Sequence, residues 1–183
     1  MRVISGSAKG IQLQAVPGSG TRPISDRVKE AVFNILGDEI VGSRVLDLFA
    51  GTGSVGIEAL SRGAELAVFV EKHPQAISTI RANLKRTKLE ARARVVRADV
   101  FKFLTEPSQP FDLVYIAPPQ YQGLWSKALQ ALDAKPEWLD PNGLAIVQIF
   151  PKEMETLPLT VLQLADQRKY GSTLLCFYEP LLR

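Results

Sequence analysis

Three acidic residues and a glycine turn carry most of the chemistry legible in this chain. Asp47 lies inside the apolar run 45–49, just ahead of Ala50-Gly51-Thr52-Gly53. Glycines at a turn let the backbone approach a ligand closely. A helix starting beyond it would aim free N–H groups at that ligand. Glu71 closes the next apolar run, 66–70, where a carboxylate is placed to accept both hydroxyls of a ribose. Asp99 follows a third run, 93–97, and suits either an adenine amino group or the N-cap of a short helix. Together these residues point to a nucleoside-containing cofactor.

Gly51-Thr52-Gly53-Ser54-Val55-Gly56 fits G-x-G-x-x-G, a spacing that by itself leaves dinucleotides open. Asp47 separates the choices. A carboxylate there suits the ammonium group of a methionine moiety and repels a pyrophosphate. The reading is S-adenosylmethionine (AdoMet), with NAD as the alternative; capping the turn is the structural role open to Asp47. The candidate cofactor residues are Asp47, Phe49, Gly51, Thr52, Gly53, Glu71, Lys72, Asp99 and Val100.

A second constellation ends the fourth apolar run: Ala117-Pro118-Pro119-Gln120-Tyr121. Two prolines leave rigid backbone without N–H donors, so nearby carbonyls face outward as acceptors. Acceptors beside a methyl donor suit an exocyclic amine of a base, whose lone pair turns toward the sulfonium. That is catalysis by positioning. A plain turn between strand and helix is the structural alternative.

The elements that must position these groups alternate. Residues 2–15 suggest a short hairpin around Gly6 and Gly10, and Pro17-Gly18-Ser19-Gly20 a connector. Ser25 reads as the N-cap of a helix carrying Val28, Ala31, Val32, Ile35 and Leu36 on one face and ending at Gly37. Strands are expected at 45–49, 66–70, 93–97, 111–116 and 143–149. Helices are expected at 54–62, 74–88, 100–104 and 124–133. Apolar segments 159–165 and 172–178 lack an intervening helix and read as a closing antiparallel pair. The pattern is α/β, with a mostly parallel sheet of seven strands covered on both faces. Ligands then gather beyond the carboxyl ends of the strands, where Asp47, Gly51, Glu71, Asp99 and Pro118 fall.

Composition bounds the rest. A chain of 183 residues with 46% hydrophobic residues suits one domain with a small appendage. The single cysteine, Cys176, sits in an apolar run, which fits a buried thiol and a reducing compartment. No run is long enough to span a membrane, and the start has no signal-peptide core, so the expected location is cytoplasmic. One histidine, His73, and scattered acids offer no metal cluster, and no G-x-S-x-G elbow is present. Net charge is +3 with a pI near 9.1, a mild basic bias compatible with RNA. Lys9, Arg22, Arg27 and Lys29 in the first thirty residues are candidate phosphate contacts. Arg81, Lys85, Arg86, Lys88, Arg92 and Arg94 form a second basic set that also reads as a solvated helix face.

The chain resembles the RsmD-type small-subunit ribosomal RNA guanine-N2 methyltransferases over nearly its whole length. The matching residues are Thr21-Arg22-Pro23, Asp26-Arg27-Val28-Lys29-Glu30-Ala31, Phe33-Asn34-Ile35-Leu36, Leu46 to Gly53, Phe69-Val70-Glu71, and Tyr170-Gly171 with Thr173. The N-terminal signature is specific, whereas the glycine loop is shared by many AdoMet enzymes. The resemblance implies a class I AdoMet-dependent methyltransferase fold at 41–183 behind an RNA-facing extension at 1–40. It implies methyl transfer to one guanine N2 amine of small-subunit ribosomal RNA, as naked RNA or within a ribosomal particle; nothing demands more than a monomer. The family motif after the fourth strand is Asp-Pro-Pro-aromatic, and this chain has Ala117 and Gln120 at the variable positions. Losing a positioned acceptor costs about 2–4 kcal/mol of transition-state stabilisation, roughly a hundredfold or more in rate. Three outcomes stay open. Tyr121, Gln120 and the Pro118 carbonyl compensate; the enzyme is slow or needs a partner; or the chain binds AdoMet and RNA without turnover.

Overall fold

A computed structural model describes residues 1–18 and 23–181. The helix expected after Ser25 is α1, Asp26–Leu36, and the Ser25 side chain accepts from the Val28 N–H at its start. Then come β1 (Arg44–Leu48), α2 (Ser54–Ser61), β2 (Leu66–Glu71), α3 (Pro74–Thr87), β3 (Ala93–Arg97), α4 (Val100–Phe103) and β4 (Phe111–Ile116). The chain continues through α5 (Leu124–Ala134), β5 (Leu139–Ile149), β6 (Leu162–Tyr170) and β7 (Thr173–Pro180).

The seven strands form one sheet in the order β3-β2-β1-β4-β5-β7-β6. β1 to β5 pair in parallel, and β7 enters antiparallel between β5 and β6. The expected class I methyltransferase architecture is the one observed. Strand order reverses between β1 and β4, so a crevice opens beyond their carboxyl ends. One face packs α1, α2 and α3 through Val32, Phe33, Ile57, Leu60 and Ile80. The other packs α4 and α5 through Val100, Trp125, Leu129 and Leu132. Gly56 permits the close seating of α2: a Cβ there would fall 2.3 Å from the Phe69 ring.

The structure modifies three expectations. Residues 2–15 form an irregular loop with one isolated bridge, Arg2 to Gln12, in place of a regular hairpin. Its backbone is spent on α2 instead: Glu58 accepts from the Ile4 and Ser5 N–H groups, and the Ser61 carbonyl accepts from Ser7. β5 begins four residues early, at Leu139, because Leu139 pairs with Phe111 across a register shift. β6 starts at Leu162 because the Asp133 carboxylate gathers the Thr160, Val161 and Leu162 N–H groups just before it. No described helix is long and apolar enough to cross a membrane.

Candidate active site

The carboxyl end of β1 runs directly into the turn. Ala50 donates to the Val70 carbonyl, and Gly53 N–H closes onto the Ala50 carbonyl at 2.8 Å. Gly51 and Gly53 have φ of 57° and 79°, and Gly53 is the N-cap of α2, so this turn needs residues free of a Cβ penalty. Thr52 Oγ accepts from Ser54 N–H at the helix start.

Glu71 fixes this loop from β2. One carboxylate oxygen accepts from Gly51 N–H at 2.9 Å, and the other from Lys72 and His73 N–H. These bonds leave lone pairs for a further donor. His73 precedes α3 without capping it through its side chain. Asp99 caps α4: one oxygen, Oδ1, accepts from Phe101 and Lys102 N–H. The cap role of Asp99 is thus present, and Oδ2 is left for another donor.

Asp47 is buried, with Gly56 N–H 3.4 Å from one oxygen. Burial pushes its carboxyl well above the usual carboxylate range; the Gly56 N–H pulls it down weakly, and the charge of Glu71 adds to the rise. A cation brought beside this buried carboxyl would favour its ionised form. Tyr115 lies beside it in register across β1 and β4. Burial, and then the charge of Asp47, raise the phenol far above its ordinary value.

Two cavities, of 540 and 510 Å³, surround these groups. The first is bounded by Asp47, Thr52, Tyr115, Pro118, Gln120, Tyr121, Gln148 and Phe150. The second is bounded by Glu71, Lys72, His73, Asp99, Val100 and Phe101. Phe49, Gly51, Ala117 and Pro119 line both, so the two adjoin at the glycine turn and the proline loop. Every candidate cofactor residue except Gly53 lines one or both cavities. Phe101 meets Phe49 edge-on at 6.3 Å and carries the Lys127 ammonium over its ring.

The proline loop is shaped by Tyr121, whose φ of 58° is left-handed. Such backbone is strained for a non-glycine residue and needs outside support. Glu153 supplies it: one oxygen accepts from Tyr121 N–H at 2.7 Å and the other from Phe150 N–H at 2.9 Å. Tyr121 is 65% exposed, and its ring stacks on Phe150. Gln120 is exposed, and Ala117 brings no polar side-chain atom to the two cavities that it lines.

The candidate RNA contacts divide. Lys9 and Arg27 are exposed. Arg22 lies outside the described residues. Lys29 is corrected: it is fully buried and cannot meet a phosphate. Its ammonium donates to the Arg2 carbonyl and the Ser54 hydroxyl and lies 3.3 Å from Glu58. Burial lowers its pKa, and Glu58 opposes that shift. Lys29 therefore ties α1 to the first residue of α2.

Sequence reasoning missed Tyr115, Gln148, Phe150, Glu153 and Phe101. Two signals were available. Tyr115 shares strand parity with Ala117, and Gln148 is the polar residue in the apolar run 144–149. Nothing local marks Glu153 or Phe150.

Comparison with known proteins matches residues 1–179 to a family model described as conserved hypothetical protein 95. The chain is 42% identical to the Bacillus subtilis protein YlbH, provisionally named an rRNA methyltransferase, over 98% of each chain. It is 38% identical to the ribosomal RNA small subunit methyltransferase D of Haemophilus influenzae, over 81% of this chain and 78% of that one. A solved Escherichia coli structure, YhhF, provisionally named a methyltransferase, superposes with a TM-score of 0.87 at 32% identity, covering 98% of this chain and 97% of that chain.

Proposed function

The chain belongs to the RsmD family, and on that premise we propose that it transfers a methyl group from AdoMet to the exocyclic N2 amine of a guanine in small-subunit ribosomal RNA. One observation carries the reading: a cavity lined by the cofactor-type acids Glu71 and Asp99 adjoins, through shared wall residues, a cavity lined by Asp47, prolines and an exposed aromatic residue.

The residues fit AdoMet. Asp47, buried without a cationic partner among the described residues, would hold the methionine ammonium. Glu71 and Asp99 each keep acceptor capacity for ribose hydroxyls and an adenine amine. When bound, AdoMet supplies an electrophilic methyl group. The chain's own part is positioning. The Pro118 carbonyl accepts one N–H of the guanine amine, which orients the nitrogen lone pair, and Tyr121 stacks on the base. An aromatic amine sheds its proton readily once alkylated, so the site needs no strong base. Residues 1–40 form the RNA-facing extension, with Arg22, Arg27 and Lys9 toward phosphates. An enzyme acting on ribosomal RNA would work in the cytoplasm.

Ala117 favours a second reading, an AdoMet- and RNA-binding protein without turnover, because it lacks the carboxylate that would hold the amine. Labelled AdoMet offered to small-subunit particles lacking native modifications, with nucleoside analysis, separates the two. N2-methylguanosine supports the enzyme. No transfer with AdoMet binding intact supports the binding protein.

A further inference from the structure

We propose that Gln148 selects guanine at the target position by donating its side-chain amide to O6, and that Tyr115 fixes which end of that amide faces the cavity. The inference rests on the guanine-N2 reading and deepens it.

Tyr115 is 1% exposed, so its hydroxyl must give its proton to a protein acceptor. The partner is Gln148 Oε1. A glutamine side chain has one acceptor and two donors on opposite sides. With Oε1 committed to Tyr115, Nε2 is turned away and keeps its N–H groups. It has no hydrogen-bond partner among the described residues, and Gln148 is half-buried in the wall of the cavity that Pro118 and Tyr121 also line.

The Watson–Crick edge of guanine reads donor, donor, acceptor from N2 through N1 to O6. A base with its N2 amine at Pro118 must present O6 to another wall. Gln120 and Gln122 also reach the cavity, but both are exposed and neither has a buried partner to orient it. Of the three glutamines that line this cavity, Gln148 is the one held in a set direction by a buried partner. A site built around a hydrogen bond rejects the analogue that cannot make it, because its own polar group is then left unpaired.

The test uses RNA carrying guanine, 2,6-diaminopurine or 2-aminopurine at the mapped target nucleotide. All three keep the 2-amino group; the two analogues lose the O6 acceptor and, with it, the N1 proton, so the change of preference in the Gln148 variants, and not the wild-type preference alone, reads the contact at position 6. The wild type is expected to prefer guanine over 2,6-diaminopurine by on the order of a hundredfold in kcat/KM. Gln148→Glu keeps the acceptor for Tyr115 and replaces the donor with an acceptor. It is expected to cut that preference by at least tenfold, toward 2,6-diaminopurine, with the AdoMet Kd unchanged as the check of folding. Gln148→Met is expected to level the three bases and carries the test should the glutamate variant not fold. Equal losses on all three bases, or an unchanged ratio, would overturn the assignment and leave the methyltransferase reading intact. A wild type that binds AdoMet yet methylates none of them removes that reading and this one together.

Discussion

Tyr121 and Phe150 stack with ring centroids 5.2 Å apart and planes inclined by 16°, although they come from loops after different strands. The same two residues share one carboxylate, since Glu153 accepts from both backbone N–H groups. Tyr121 holds this stack from a left-handed backbone. Phe150 stacks on the Tyr121 ring, and Tyr121 remains exposed.

Removing that carboxylate should loosen the platform without touching the cofactor cavity. Glu153→Ala is expected to raise KM for RNA about tenfold, the scale of one lost base–aromatic stack, with AdoMet affinity unchanged. Glu153→Gln, which keeps one acceptor, should fall between. Steady-state kinetics with calorimetric AdoMet titration reads both. A raised KM in Tyr121→Ala beside an unchanged one in Glu153→Ala would show the carboxylate to be dispensable.

Asp47 is expected to trade stability for binding. Its folded pKa lies above the unfolded value, so the folded state holds the extra proton. Stability should then decline as pH rises from the ordinary carboxylate range through the raised folded value. Asp47→Asn should flatten that decline in thermal melts and weaken AdoMet binding by about a hundredfold, as a lost charge-assisted contact would. Unchanged AdoMet affinity would remove Asp47 from the site.

Lys29 should behave as a core residue, and Lys9 and Arg27 as surface ones. Lys29→Met strips a buried partner from Glu58 and should cost about 3 kcal/mol in chemical denaturation. It should leave the salt dependence of RNA binding unchanged. Lys9→Ala and Arg27→Ala should each lower that salt slope by about one and barely alter stability. Equal slopes in all three variants and the wild type would place the RNA elsewhere.

Ala117→Asp places a carboxylate on a residue that lines both cavities. An increase of about tenfold or more in kcat/KM is expected from methyl-transfer assays. No gain in an active enzyme would mean that the surrounding acceptors already hold the amine.

Much of the scaffold was legible along the chain. Alternating apolar runs and helical faces, with glycine at 51 and 53 and Pro74 opening α3, set the element order within a few residues. Local periodicity is a local property, and these elements obey it. The positions of Asp47, Glu71 and Asp99 followed because each ends or borders a strand.

Other features depended on which elements the fold brings together. Lys29 reads as an exposed cation beside Arg27, and it becomes a core ion pair because α1 lies on α2 against Glu58. Tyr115 and Gln148, 33 residues apart, meet because β4 and β5 are neighbours in the sheet. Glu153 reaches Tyr121 across 32 residues for the same reason. Residue types and spacing determined that a crevice forms beyond the strand ends and which acids line it. Tertiary packing decided which polar groups are consumed inside the protein and which remain for a ligand, because burial and hydrogen-bond satisfaction are set by neighbours distant in sequence.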